Sequence, residues 1–178
     1  METNQNDQNT NAAGKTLRTK EAVLALLELY DYHTKLFYNV IEGITDTDAV
    51  NRMDTKANHP SWITGSLVQQ RYELAKLLGE DVTSTNNEIF KNFKGIQDDI
   101  SYPALAEYRK DWETISPILK NAILKMDVEK LNSKAPYEME MDMSFYDSVM
   151  FLVDRESYCI GQIALYRRLM GYEAMKYA

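Results

Sequence analysis

Residues able to do chemistry are sparse in this chain, and most of them meet in one stretch near the C-terminus. There "DRESYCIGQ" puts Glu156 and Cys159 about one helical turn apart, with Arg155 four residues before Cys159. A guanidinium beside a thiol could lower the thiol's pKa or anchor a carboxylate, and the cysteine itself could be a nucleophile or an inert packing residue. The chain has two histidines, His33 and His59. His33 could be an acid, a base or a ligand in a pocket, or a hydrogen-bonded core histidine. His59, directly before Pro60, reads as a pocket residue or as the residue that opens a helix.

These residues need helices to position them. Val23, Leu26, Tyr30, His33, Phe37, Val40 and Ile44 step by three and four, a helical stripe ending near Gly43. A second stripe, Ile63, Leu67, Gln70, Leu74 and Leu77, lies between Pro60 and Gly79, with Asn58 or His59 as its cap. A third begins after Tyr102 with Pro103 in its first turn, and runs through Leu105, Tyr108, Trp112, Ile115, Leu119, Ala122 and Met126. The fourth carries Phe145, Val149, Leu152, Glu156, Cys159, Ile163, Tyr166 and Met170. Glu156 is out of place on an apolar stripe, because burying an ionised carboxylate is costly unless it is paired. Arg155 projects about a quarter-turn away, so the partner must come from another helix, with His33 or a tyrosine as the candidates.

Four amphipathic helices predict an all-α fold, a four-helix bundle. The stretch from Glu80 to Ser101 is long for a link between antiparallel neighbours and predicts a crossover connection. Met139, Met141 and Met143 alternate with acids, the pattern of an extended segment crossing the bundle. Residues 1–16, rich in Asn and Gln, read as a disordered N-terminal tail, and 17–178 as a single domain.

At 178 residues, 44% hydrophobic and 26% charged, the composition is that of a globular domain. A net charge of −7 argues against nucleic acid and anionic membrane surfaces as partners. Arg167 and Arg168 are read as complementing a helix C-terminus rather than as a basic patch. No segment reaches the ~18 continuous apolar residues of a membrane span. Cys159 is the only cysteine, so no intrachain disulfide forms, and a reducing cytoplasm fits best.

The order and spacing of "NHPSWITGSLVQQRYELAKLLG" (58–79), "YPALAEYRKDWETISPIL" (102–119) and "ESYCIGQIALYRRLMG" (156–171) resemble the DinB-like superfamily of bacterial helical bundles. The resemblance implies a bundle with long crossover connections, often a homodimer, that holds a divalent metal between its second and fourth helices. Three histidines usually supply the ligands, and the corresponding positions here are Ser66, Arg155 and Cys159. None is a histidine, and a guanidinium has no lone pair to give. A zinc site takes about three or four ligands from thiolate, imidazole and carboxylate, so the expectation is no metal, with a rearranged set of Cys159, Glu156 and one histidine as the alternative.

Two functional readings follow. One is a small-molecule-binding or interaction bundle that lost the metal and uses the residual cavity, with His33, His59, Ser66, Arg155, Glu156 and Cys159 as pocket candidates and no cofactor. The other is a transferase that uses a low-molecular-weight thiol without the usual metal, since some members of the resembling family transfer such thiols.

Overall fold

The computed structural model describes residues 17–137 and 142–177, and throughout these the chain is all-α. Its helices are α1 (Lys20–Ile41), α2 (Asp46–Ala49), α3 (Pro60–Leu77), α4 (Asn87–Phe90), α5 (Leu105–Lys125), α6 (Val128–Asn132) and α7 (Phe145–Leu169). Among the described residues no strand forms, only an isolated bridge between Lys134 and Ser144. The expected tail, and Met139 and Met141 of the expected extended segment, lie outside the described residues.

The four long helices α1, α3, α5 and α7 are the four periodic segments of the sequence. Helices α2, α4 and α6 sit in the connections, too short for a 3.6-residue period to declare itself. Local chemistry sets the ends. His59 caps α3 by accepting from Trp62 N, with Pro60 in the first turn, and Ser144 forms a capping box with Asp147 at the start of α7. One boundary corrects the expectation: α5 begins at Leu105, after Pro103. Its first amide is capped from outside, by Asp46 Oδ1 of α2 accepting from Leu105 N at 2.8 Å, and no local pattern announces such a cap.

Helix α1 packs against α5 and α7, and α3 packs against the same two. Long-range contacts give the directions. Lys20, at the start of α1, donates to the Leu124 carbonyl at the end of α5, and Arg109, early in α5, pairs with Glu42 just beyond α1, so α1 and α5 are antiparallel. His59 meets Tyr102 at one end of the α3–α5 pair and Glu80 meets Lys125 at the other, so α3 and α5 are parallel. Helices α1 and α7 are parallel as well, with Arg18 near Tyr146 at their starts and Arg167 donating to the Val40 carbonyl at their ends. Parallel neighbours cannot be joined by a tight turn, and the connection from Leu78 to Ala104 provides the return path between α3 and α5.

That connection also covers α3. Gln69 is held by Ser84 and Asn87, and Thr85 donates through N and Oγ1 to the Asp111 carboxylate. Helix α3 is buried well beyond the single stripe read from its sequence: Ser61, Thr64, Ser66 and Gln69 are inside as well, whereas Gln70, placed on the stripe, is half-buried. Phe90 closes the cover over Gly65. A Cβ on Gly65 would lie within 2.7 Å of ring carbons of both Phe90 and Tyr108, so the close approach requires glycine.

Glycine in a helix interior ordinarily costs about 1 kcal/mol relative to alanine. Here Gly65→Ala is expected to lower the unfolding free energy by about 1–3 kcal/mol through overpacking, measured by chemical denaturation; a stabilised variant would contradict the packing described.

Candidate functional site

Glu156 finds its main partner in Arg71, with the expected His33 beside it as a second, weaker one. Arg71 Nε and Nη2 donate to the two carboxylate oxygens at 2.6 and 3.0 Å, and both side chains are completely buried. Arg71 Nη1 donates to Thr34 Oγ1 of α1 at 2.9 Å and to Ser116 Oγ of α5 at 2.7 Å. The ring centres of Tyr30 and Trp112 lie 3.7 and 3.5 Å from the guanidinium carbon. Two rings this close cannot share one face of a planar group, so they sandwich it. Phe37 stacks in turn on Trp112, with centroids 4.1 Å apart. Every long helix contributes to this cluster.

His33 is buried on the α1 side of the cluster, its Nδ1 3.5 Å from Glu156 Oε2 and without a hydrogen bond. Burial alone would raise the Glu156 carboxyl. The Arg71 guanidinium and, secondarily, His33 more than reverse this and hold it below the usual carboxylate range. Arginine prevails as partner because its fork satisfies both carboxylate oxygens at once, which one imidazole cannot do.

A second arrangement lies between α3 and α7. Arg155, next to Glu156 in sequence, is turned toward α3 and only half-buried. Its Nη1 donates to Gln70 Oε1 at 2.7 Å and to the Ser66 carbonyl at 3.5 Å, and its Nη2 donates to Ser66 Oγ at 3.0 Å. Ser66 Oγ in turn donates to the Ile63 carbonyl. Cys159 is buried one turn further along α7. Burial pushes its thiol up, and the nearby charge of Arg155 only partly opposes this, so at neutral pH the sulfur carries its proton. Beside these residues a half-open cavity of about 370 Å³ is lined by Arg155, Cys159, Trp62, Phe151, Tyr158 and others.

The six candidates thus divide among three places. Ser66, Arg155 and Cys159 gather between α3 and α7. Glu156 and His33 belong to the closed centre. His59 stands apart at the start of α3, its Nδ1 accepting from Trp62 N at 3.0 Å and its ring edge-on to Tyr102. Being an acceptor, that nitrogen must be unprotonated, and burial lowers the imidazole pKa below its ordinary 6.5.

The residues at Ser66, Arg155 and Cys159 do not suit a divalent ion. A fixed positive charge bonded directly to Ser66 opposes a cation there, and the thiol is held protonated. Among the described residues no group of three or more His, Cys, Asp or Glu side chains is placed to hold a metal, the set of Cys159, Glu156 and a histidine included. No protein-family model matches the chain, and no curated protein matches it.

Sequence reasoning missed Arg71, although its position was informative: four residues after Leu67 and eight after Ile63, it continues the apolar face of α3. Removing one member of a buried ion pair strands the other charge. Arg71→Met and Glu156→Leu are each expected to lose about 3–5 kcal/mol of unfolding free energy, and the double variant clearly less than their sum. Additive losses in a denaturation cycle would show that the two side chains act independently.

The sign of the His59 effect follows from its lowered pKa. The unfolded chain binds the proton more readily, so the stability tied to neutral His59 is present above about pH 6.5 and is lost as pH falls through the lower folded value. His59→Asn keeps a capping oxygen but does not titrate. Between about pH 7 and about pH 5 the wild type should lose more stability than this variant; parallel pH profiles would refute that account of the cap.

Proposed function

We propose that this chain is a DinB-like four-helix bundle that works without the metal of that superfamily and binds a small molecule in the cavity between α3 and α7. Support for the fold comes from the four long helices and from the parallel neighbours α3 and α5 joined by a long connection. The observation that carries the functional reading is the guanidinium of Arg155 bonded to Ser66, where the resemblance would put a metal, with an aromatic-walled cavity beside it. A concave space with apolar walls and a few polar groups is the usual form of a ligand site. Among the described residues no helix is long and apolar enough to cross a membrane. A cytoplasmic location and a homodimer remain part of the proposal.

A thiol-dependent transferase is the second reading, favoured by the position of Arg155 beside both the cavity and Cys159. It has weaker support, because the family's device for activating a thiol is a metal and the residues here do not suit one.

Elemental analysis after dialysis, combined with thermal-shift titration, tests the absence of metal, and a conjugation assay separates the two readings. No stoichiometric metal should survive dialysis, and Zn²⁺ and Ni²⁺ should leave the melting temperature unchanged, since an ion that does not bind the folded state cannot stabilise it. A retained stoichiometric metal would overturn the proposal. Conjugation of a low-molecular-weight thiol to an electrophile, abolished by Arg155→Ala, would replace it with the transferase.

A further inference from the structure

The character of the cavity narrows the class of ligand. Three arginines of the fold, Arg71, Arg52 and Arg109, are paired with carboxylates. Arg155 is bonded only to neutral acceptors, the hydroxyl and carbonyl of Ser66 and the amide oxygen of Gln70, and among the described residues it makes no ion pair. Glu73 is near enough for its charge to interact with Arg155 but forms no ion pair with it, so the half-buried guanidinium has no contacting counter-charge. Its bonds to Ser66 and Gln70 engage Nη1 and one hydrogen of Nη2, which leaves Nε–H and a second Nη2–H as donors. These are the components of a bidentate grip on a carboxylate.

The walls around Arg155 favour a flat apolar body. Trp62, Phe151 and Tyr158 line the cavity, and Phe151 and Tyr158 are 51% and 70% exposed, a large aromatic surface to leave in water. Asp154 lies on the same lining and is exposed. Its negative charge penalises a second anionic group on the ligand, so dianions such as phosphate monoesters and dicarboxylates are disfavoured.

Resting on the binding function proposed above, we infer that the ligand is a small aromatic monocarboxylate, its acid group gripped by Arg155 and its ring held among Trp62, Phe151 and Tyr158. The charge at this position then recognises an anion directly.

Calorimetric titration of the full chain with three probes of one shape tests this: phenylacetate, phenylacetamide and phenethylammonium. Phenylacetate is expected to bind at least about tenfold more tightly than the amide, and the ammonium probe most weakly. Arg155→Gln should abolish the preference for the acid, Arg155→Lys should retain part of it, and Asp154→Asn should tighten phenylacetate about two- to threefold. The comparison of acid with amide needs only the wild-type chain, so it stands even if a variant fails to fold. Equal binding of acid and amide would overturn the inference while leaving a binding cavity in place, and preference for the ammonium probe would show Asp154 dominant and overturn it as well. Binding of none of the three would count against both the inference and the function on which it rests.

Discussion

A guanidinium in the middle of a helical core constrains everything around it. The idealised cost of moving such an ion from water into an apolar interior is about 20 kcal/mol, and the fold offsets it on every side of Arg71. Glu156 takes the charge, Thr34 and Ser116 accept from Nη1, and Tyr30 and Trp112 cover the faces. Because the bonds lie in the guanidinium plane and the rings lie above and below it, the group has little freedom of position or tilt. The partners come from α1, α5 and α7, so the same contacts fix the height and rotation of three helices relative to α3. Apolar contacts alone tolerate sliding; this arrangement does not.

The constraint reaches the surface through adjacent residues. Glu156 and Arg155 are separated by about 100° around α7, so the rotation that seats one in the centre turns the other toward Ser66 and Gln70. The closed cluster and the open cavity are therefore two outputs of a single helix orientation. A guanidinium serves each, with opposite surroundings: Arg71 is neutralised and sealed, whereas Arg155 is half-buried and bonded to neutral groups.

Much of the fold was legible because it rests on periodicity. Helices α1, α3, α5 and α7 each bury the face that three-four spacing marks, and Glu156 stood out as a charge on such a face. What stayed hidden depends on residues distant in the chain. The start of α5 is set by Asp46, the outer side of α3 is buried by the connection bearing Ser84 and Phe90, and the groups that Arg71 meets, Trp112 and Glu156, lie on other helices. Local spacing carries no information about such encounters. The grouping of Ser66 with Arg155 came from the resemblance, which sets those positions opposite each other on the second and fourth helices; three-four spacing put neither on an apolar stripe. The cavity walls were not, since Phe151 and Tyr158 lie on the outward side of α7, where apolar residues carry no periodic meaning.

The partners of the central ion pair stand 85 residues apart in sequence, and this separation bears on how the chain matures. While a ribosome is still making the polypeptide, α1, α3 and α5 emerge before α7, and Arg71 then has no anion to meet. An unneutralised guanidinium resists dehydration, so the first three long helices are discouraged from collapsing into a dry, premature three-helix core. Drying out the centre of the bundle at low cost therefore requires the last helix, which carries the only carboxylate bonded to Arg71 among the described residues.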